Sequence, residues 1–221
     1  MACGRPGEPA TPGVEVGPVE EIGPYRLVQE AGGQPVTTDS LLLARFVLPL
    51  AEGDRVLDIG TATAFIPLYL AWKSPAAHIT AVEIRPGACA LAEANVERNG
   101  LARRISVVNA DFRELPERFA PGSFDVVVSN PPYVRKGEGR MSPDAERAAA
   151  RMELHGGAAE LFAVSRHLIG ESGRMCCIYP LRRLEEVRAA AESAALAVRR
   201  LEVAEGTGRF LMEVTAGDGG L

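Results

Sequence analysis

The chain has 221 residues, 47% of them hydrophobic and 24% charged, which supports one globular domain with a full core and excludes two. Its formal net charge is −5 at pH 7, of which residues 1–24 account for −3. A broad, sequence-independent nucleic-acid surface is strongly basic, so any bound RNA requires a local patch. No apolar run approaches the roughly 20 residues of a membrane span, and a signal-peptide pattern is lacking. We therefore expect a cytoplasmic protein without membrane contact.

The first 50 residues predict a leader, a hairpin and a helix. Residues 1–24 contain five prolines and five glycines without apolar periodicity, which predicts a disordered leader. Residues 25–28 and 34–37 predict a short hairpin around Ala-Gly-Gly, and Thr38 or Asp39 predicts the N-cap of a helix over 40–48. Residues 25–216 then form a single domain, with 25–50 as the N-terminal hairpin and helix, 51–216 as the core, and 217–221 as a frayed tail.

The next stretch has the pattern of a nucleotide-cofactor site. Residues 55–59 predict a buried strand, and residues 58–64 (Asp-Ile-Gly-Thr-Ala-Thr-Ala) turn from it into a helix that ends near residue 72. Backbone N–H groups at such a helix start can approach a ligand closely. Glu83 lies at the end of the next predicted strand, 25 residues beyond Asp58, where a carboxylate can accept both ribose hydroxyls.

The remaining elements alternate until the end of the chain. Further predicted helices span 86–99, 113–119, 158–169 and 181–194, and further strands span 105–108, 124–128, 174–179, 198–203 and 210–215. Alternation of strand and helix from 55 to 181 predicts a parallel sheet covered on both faces. The two consecutive strands at the end break this alternation.

The strand at 124–128 stops abruptly at Asn130-Pro131-Pro132-Tyr133. Two prolines fix two φ angles and remove two N–H donors, which leaves rigid carbonyl acceptors, while Asn130 adds a side-chain acceptor and Tyr133 a flat ring. This set suits a planar group that carries an NH2, such as an adenine edge or a carboxamide. The alternative interpretation is a proline-rich turn after a core strand.

This segment resembles the Asn/Asp-Pro-Pro-Tyr/Phe/Trp motif of class I S-adenosylmethionine-dependent methyltransferases that modify exocyclic or amide nitrogen. Thr38-Asp39-Ser40-x-Leu-Leu extends the resemblance to the bacterial tRNA(Val) adenine-N6-methyltransferase family, because related enzymes carry such a segment across the cofactor site. The resemblance implies an α/β fold, a Rossmann-like doubly wound seven-stranded sheet with its last strand antiparallel. It also implies S-adenosyl-L-methionine as cofactor and an adenine beside the anticodon of tRNA as substrate.

The resemblance also implies roles for individual residues. The cofactor-binding residues are Thr38, Asp58, Gly60, Thr61, Ala62, Ala64, Glu83, Ile84, Asp111, Phe112 and Asn130. The catalytic residues are Asn130, Pro131, Pro132 and Tyr133. Asp111 is expected to accept from the adenine amino group of the cofactor, and the alternative is that it caps the following helix.

A basic, glycine-containing loop follows Tyr133. Residues 134–151 carry five basic and three acidic side chains, a net charge of +2 in an otherwise acidic chain. Arg135, Lys136 and Arg140 are therefore the predicted substrate-binding residues of a phosphate-contacting lid, and a solvated loop is the alternative. Cys3, Cys89, Cys176, Cys177 and the histidines show no ligand spacing, so no metal site is expected.

The resemblance departs from the family at the first turn. The family motif is Asp/Glu-x-Gly-x-Gly-x-Gly, and only Gly60 is present, with Ala62 and Ala64 in place of the other glycines. If these positions have left-handed backbones, alanine costs roughly 1–2 kcal/mol at each. Because of Ala62 and Ala64, a non-catalytic binding module with a weakened cofactor site stays open as an alternative. Methylation of a glutamine amide in a protein is a second alternative, because the Asn-Pro-Pro-Tyr residues serve that reaction too. The oligomeric state does not follow from the sequence.

Overall fold

The computed structural model of the chain describes residues 16–30, 36–74, 78–131 and 157–217. The strands in these ranges are β1 (Val16–Ile22), β2 (Tyr25–Glu30), β3 (Arg55–Ile59), β4 (His78–Glu83), β5 (Ile105–Asn109), β6 (Val126–Ser129), β7 (Arg174–Pro180), β8 (Leu196–Ala204) and β9 (Arg209–Ala216). The helices are α1 (Thr38–Phe46), α2 (Phe65–Lys73), α3 (Pro86–Arg98), α4 (Leu115–Arg118), α5 (Ala158–Ile169) and α6 (Leu184–Ser193), with 3₁₀ turns at Phe112–Glu114 and Leu181–Arg183. None of the helices described is long and apolar enough to cross a membrane.

The main sheet has seven strands in the order β5-β4-β3-β6-β7-β9-β8. The first five strands in this order are parallel, and β9 lies antiparallel between β7 and β8. Only residues 205–208 connect β8 to β9, so these two strands pair as a hairpin, which makes them antiparallel to each other. The predicted seven-stranded, doubly wound sheet with an antiparallel last strand is confirmed.

Successive residues of the central strands enter two separate cores, one on each face of the sheet. Val56 and Cys176 pack in the core that includes α1, α2, α3 and the N-terminal hairpin, whereas Leu57 and Cys177 pack in the core that includes α5 and α6. Both faces are covered, so the central strands are apolar on both sides rather than alternating with polar residues. A ligand-binding site is therefore expected at the ends of the strands and not on a face of the sheet.

The N-terminal hairpin differs from the sequence prediction. β1 pairs antiparallel with β2, with Ile22 opposite Tyr25, so residues 16–22 are an ordered strand and not part of a disordered leader. The predicted pairing of 25–28 with 34–37 is also wrong. Pro18 lies where the register shifts between Val16 and Val19, and proline is tolerated in an outer strand at such a bulge. It also interrupts the alternating pattern by which the strand could have been recognised.

The other edge of β2 is hydrogen-bonded to two asparagine side chains of α3. Asn95 accepts from the Val28 N–H and donates to the Val28 carbonyl, both at 2.9 Å, and it also donates to the Thr63 carbonyl at 3.0 Å. Asn99 makes the same pair of bonds to the backbone of Arg26, at 2.9 and 2.8 Å. Four residues of helix rise about 6 Å and two residues of strand about 6.6 Å, so the two spacings match. The amides thus substitute for a neighbouring strand.

The buried member of this pair is expected to contribute more to stability. Asn95 is fully buried, so Asn95→Ala leaves the Val28 and Thr63 backbone groups without partners and should lower the free energy of unfolding by roughly 2–4 kcal/mol. Asn99→Ala is the matched control, because water can replace its exposed bonds, and should cost less than about 1 kcal/mol. Urea unfolding of both variants measures the difference, and equal losses would contradict this assignment.

Candidate active site

The parallel strands end together at one edge of the sheet, here called the carboxyl edge. The chain runs from β3 to β4 to β5 in one direction and from β6 to β7 in the other, so the strand order reverses between β3 and β6. Ile59, the last residue of β3, lies in register with Val82 of β4 and Ser129 of β6. The segments that follow these strands therefore meet at the reversal point, where ligands bind in open α/β sheets.

Residues 60–64, here called the cofactor turn, join β3 to α2 at this point. The N–H groups of Gly60 and Thr61 both donate to the Val82 carbonyl, at 2.9 and 3.0 Å, which holds the turn against β4. Gly60, Ala62 and Ala64 have φ angles of 80°, 50° and 71°, so both alanines occupy the left-handed region. The sequence did not decide whether these alanines have left-handed backbones, and the structure shows that both do.

The Glu83 carboxylate stabilises the cofactor turn from β4. Its Oε2 accepts from the Ala62 N–H at 2.9 Å, and its Oε1 accepts from the Arg85 N–H at 2.9 Å and the Arg85 Nε–H at 3.3 Å. The guanidinium of Arg85 also donates to Glu30 at 2.9 Å. A carboxylate oxygen can accept two hydrogen bonds, so Oε2 keeps one acceptor position for a ligand.

Asp58 is buried near the end of β3, with no hydrogen-bond partner among the described residues. It is 1% exposed, and neither its carboxylate oxygens nor the Thr61 hydroxyl has a well-formed hydrogen bond among the described residues. Burial raises the pKa of Asp58 to about 7; the nearby Thr61 hydroxyl opposes part of this rise and the Glu83 charge adds to it. A buried carboxylate lacking a partner requires a ligand, water or a proton to satisfy it.

These features fit an adenosine-containing cofactor such as S-adenosylmethionine. A Cβ atom placed on Gly60 meets nothing within 4 Å, so open space lies directly against the cofactor turn. The Glu83 carboxylate bonds to Ala62 of this turn, Asp58 lies two residues before the turn, and half-buried Ile84 adds an apolar side chain just after β4. Ribose hydroxyls and an ammonium group are suitable donors for such acceptors.

Asp111 follows β5 along the same edge. Its described contacts are those of a cap on the following helical turn, which was the alternative to cofactor binding. Its side chain accepts from the Arg113 N–H at 3.1 Å, which caps the 3₁₀ turn Phe112–Glu114, and it pairs with the Arg113 guanidinium at 2.5 Å. The predicted continuous helix over 113–119 is wrong, because the turn is 3₁₀ and α4 covers only Leu115–Arg118. The contact of Asp111 with the cofactor stays a prediction.

Asn130 follows β6 on the other side of the reversal point. Its Nδ2 donates to the Ser40 hydroxyl at 3.1 Å, while the neighbouring Ser129 hydroxyl donates to the Ile59 carbonyl at 3.1 Å. The first contact links the site to α1, a link that sequence reasoning missed. The only sequence signal for this link was that Ser40 lies in the Thr-Asp-Ser segment. Within that segment, the resemblance implied a cofactor-binding role for Thr38 alone.

The start of α1 also differs from the prediction. Thr37 is the N-cap and makes no side-chain capping bond, so neither Thr38 nor Asp39 caps the helix. Asp39 instead accepts from the Nε–H of Arg209 at 2.7 Å, across 170 positions of sequence. Asp39 is therefore a tertiary contact, and Thr38 is exposed at the first position of the helix.

Several predicted site residues cannot be placed relative to this edge. Pro131 is buried directly after Asn130, whereas Pro132, Tyr133, Arg135, Lys136 and Arg140 lie outside the described residues. Across residues 16–30, 36–74, 78–131 and 157–217, no group of three or more His, Cys, Asp or Glu side chains is arranged to hold a metal ion. The predicted cofactor-binding residues therefore all lie in the described ranges, whereas most of the predicted catalytic and substrate-binding residues do not. The roles of both groups stay predictions.

Replacing the strained alanines should stabilise the protein. Ala62→Gly and Ala64→Gly relieve a left-handed strain of about 1–2 kcal/mol each, partly offset by the greater flexibility of unfolded glycine, so each should add about 0.5–1 kcal/mol to the free energy of unfolding. Ala90→Gly within α3 is the control and should lower it by about 1 kcal/mol. Urea unfolding compares the three variants. Destabilisation by either turn variant would mean that the alanine methyl packs favourably enough to outweigh the strain.

Asp58 should make the protein less stable as pH rises. The carboxyl group ionises near 3.8, the ordinary value for aspartate, when the chain is unfolded, and its pKa is about 7 in the folded protein. Between these two values the folded state binds more protons than the unfolded state. The free-energy penalty for burying the ionised carboxylate is therefore absent below the unfolded pKa, grows up to about pH 7 and is constant above it. Asp58→Asn removes the group, so its stability advantage over the wild type should increase between about pH 5 and pH 8. Thermal unfolding of both proteins across this range checks the sign, and a constant difference would contradict it.

The comparisons with known proteins agree with this geometry. Residues 36–175 match the methyltransferase small domain family. The tRNA1(Val) (adenine(37)-N6)-methyltransferase of Porphyromonas gingivalis is 33% identical over 171 residues, which are 75% of this chain and 66% of that protein. The protein of the same name from Bacteroides thetaiotaomicron is 35% identical over 170 residues, 76% of this chain and 69% of that one. The chain thus spans about two thirds of the length of these relatives.

A solved structure supports the fold at lower identity. The crystal structure of a predicted O-methyltransferase from Agrobacterium tumefaciens matches with a TM-score of 0.62 and 19% identity, over 82% of each chain. That protein is named for methylation of oxygen, whereas the relatives are named for methylation of nitrogen, so the shared architecture does not by itself select the substrate. By the family match and the identity to its relatives, this chain belongs to the methyltransferase small domain family.

Proposed function

We propose that this protein is an S-adenosylmethionine-dependent methyltransferase that modifies N6 of an adenine beside the anticodon of a tRNA. The observation that carries the proposal is Asn130, which follows β6 at the reversal point of the sheet and is held by Ser40 beside the cofactor turn. The names and identities of the relatives support tRNA adenine as the substrate. An adenine beside an anticodon is close to single-stranded, so it is accessible to a protein pocket.

The residues on the β3, β4 and β5 side bind the cofactor. Glu83 accepts from the ribose hydroxyls through the acceptor position that Oε2 keeps, and the unpartnered Asp58 carboxylate accepts from the ammonium group. Residues of the cofactor turn (Gly60, Thr61, Ala62 and Ala64) form one wall, while Thr38, Ile84, Asp111 and Phe112 complete the site. When bound, the cofactor supplies an electrophilic methyl group on a sulfonium.

Asn130 and Pro131 orient the target nitrogen. An adenine amino group is a poor nucleophile because its lone pair is delocalised into the ring. The Asn130 Oδ1 and a backbone carbonyl placed out of the ring plane accept hydrogen bonds from its two N–H groups and favour a tetrahedral nitrogen, whose lone pair then points at the methyl group. One N–H proton would pass to water once the methyl group has been transferred. Catalysis is mainly orientation and electrostatics in this proposal.

The residues outside the described ranges have the roles that the sequence predicts. Pro132 keeps the turn after β6 rigid, Tyr133 stacks on the adenine, and Arg135, Lys136 and Arg140 contact tRNA phosphates. Stacking of a base on an aromatic ring contributes roughly 1–3 kcal/mol, so Tyr133 acts mainly in substrate binding. No described contact favours glutamine methylation. The Asp58 carboxylate has no hydrogen-bond partner among the described residues, which argues against a cofactor site that has been lost.

Removing the Asn130 amide should reduce turnover far more than cofactor binding. Asn130→Ala should lower the turnover number about 100-fold or more, because the transition state loses an oriented acceptor. Isothermal titration should show cofactor affinity within about fivefold of the wild type. Asn99→Ala is the control, since it removes the same type of side chain from the half-buried residue that follows α3, where it bonds to Arg26, and should leave turnover unchanged.

The product identifies the substrate. The enzyme is incubated with methyl-labelled cofactor and either bulk tRNA or a release-factor peptide that contains glutamine. We expect label in N6-methyladenosine after digestion of the tRNA, lost in Asn130→Ala. Label in glutamine would select the protein substrate instead, and cofactor binding without label in either substrate would refute the proposal.

A further inference from the structure

We propose that α1 is a positioning element, in which Ser40 holds the Asn130 side chain in place and the Asp39–Arg209 ion pair holds Ser40 in place. This inference rests on the proposed function, because it concerns the same amide. It assigns a role to two residues, Ser40 and Arg209, that lie far from the Asn-Pro-Pro-Tyr segment in sequence.

The first step is the polarity of the Asn130 amide. Its Nδ2 donates to the Ser40 hydroxyl at 3.1 Å, so the NH2 end of the amide faces α1 and the Oδ1 end faces away from it. An asparagine amide has two donors at one end and an acceptor at the other. If it turned over, it would present donors to the target NH2, which also needs acceptors. A serine hydroxyl can donate as well as accept, so the contact with Ser40 fixes where the amide lies, and the observed conformation has its NH2 end toward α1.

Ser40 is not explained by the local needs of the helix. Serine is a weak helix former within a helix and is favoured at the N-cap, but here the N-cap is Thr37. In the described part of the chain, the half-buried hydroxyl bonds to Asn130, 90 positions away, and does not cap α1. Alanine would suit the helix better, so the hydroxyl is retained at a small cost in helix propensity.

The second step is the anchoring of α1 at its amino end. Asp39, beside Ser40, accepts from Arg209 Nε at 2.7 Å, and the two side chains are only 14% and 29% exposed. Arg209 is the first residue of β9, which lies next to β7 and not to β6. A partly buried pair of this geometry is screened less than a surface pair, so it can fix the helix start.

Two more arginines anchor the carboxyl end of α1. Arg174 of β7 donates to the Val47 and Pro49 carbonyls, at 2.8 and 2.7 Å. Arg200 of β8 donates to the Phe46 carbonyl, and its guanidinium lies 3.7 Å from the centre of the Phe46 ring. A nine-residue helix is marginal by itself, and cations near its last carbonyls favour it. The last three strands of the sheet thus hold a helix that presents Ser40 to the site.

The test compares four variants in steady-state methylation of tRNA. Ser40→Ala should lower kcat about five- to tenfold with KM for tRNA and cofactor within about twofold, because the Asn130 amide loses its hydrogen bond to α1 and is held less firmly in the site. Ser40→Thr keeps the hydroxyl and should recover most of kcat. Arg209→Met keeps the length of the stem and should lower kcat about two- to fivefold in the same manner. Ser193→Ala, which removes a hydroxyl from the end of α6, is the control and should match the wild type.

A second readout does not depend on activity. In ¹⁵N-labelled protein, the Asn130 side-chain amide resonance is assigned by its loss in Asn130→Ala. Ser40→Ala should shift this resonance and speed its exchange with water, whereas Ser40→Thr and Ser193→Ala should leave it close to the wild-type position. A general loss of structure would move backbone resonances throughout the protein, so it is recognised in the same spectra.

The outcomes separate the two proposals. A wild-type kcat and an unshifted Asn130 resonance in Ser40→Ala would overturn the positioning role, and so would failure of Ser40→Thr to restore either one. If the wild-type enzyme methylates no tRNA, the proposed function fails, and the Asn130 resonance alone then decides whether Ser40 holds the amide in place.

Discussion

The candidate site depends on one carboxylate, that of Glu83. It accepts from the Ala62 backbone on one strand connection and from Arg85 on the next, while the Glu83 main-chain carbonyl accepts from Ala110 and from the Asn109 side chain. Residue 83 therefore joins the carboxyl ends of β3, β4 and β5. A hydrogen bond to a charged group contributes about 1.5–3 kcal/mol, comparable with the roughly 1–2 kcal/mol of a left-handed alanine. The same carboxylate thus offsets strain in the turn and is the one proposed to bind the cofactor ribose.

The two sides of the site are supported by different parts of the chain. The cofactor side lies on β3, β4 and β5, and α3 ties it to the hairpin through Asn95, whose amide reaches the Thr63 carbonyl of the cofactor turn. The Asn130 side depends on α1, which is held by arginines of β7, β8 and β9. The C-terminal strands therefore contribute to the site without contributing a residue to the proposed cofactor contacts. Their role is to support α1.

Many of the strands and helices could be predicted from the sequence because the signals for them are local. The strand at 55–59, the end of the next strand at Glu83 and the helix that begins at Pro86 were predicted to within about one residue, since buried parallel strands are continuous apolar runs and proline suits a helix start. Residues 16–22 were misassigned because Pro18 interrupts their pattern, and only pairing with β2 makes them a strand. The helix after Asp111 was predicted too long, since the actual element is a 3₁₀ turn stabilised by the Asp111 cap and the Arg113 pair.

The sequence by itself determined the sheet, the position of the cofactor turn and the candidate roles of Asp58, Glu83 and Asn130, because each follows from the residue type at the end of a recognisable strand. Only the tertiary structure decided that Ala62 and Ala64 are left-handed and that Asp58 has no hydrogen-bond partner in the described part of the chain. It also decided that Ser40 contacts Asn130 and that Arg209 contacts Asp39. Backbone handedness is set by how the turn is closed against β4. Contacts across 90 and 170 positions arise from the packing of α1 on the sheet, for which a single sequence carries no periodic signal.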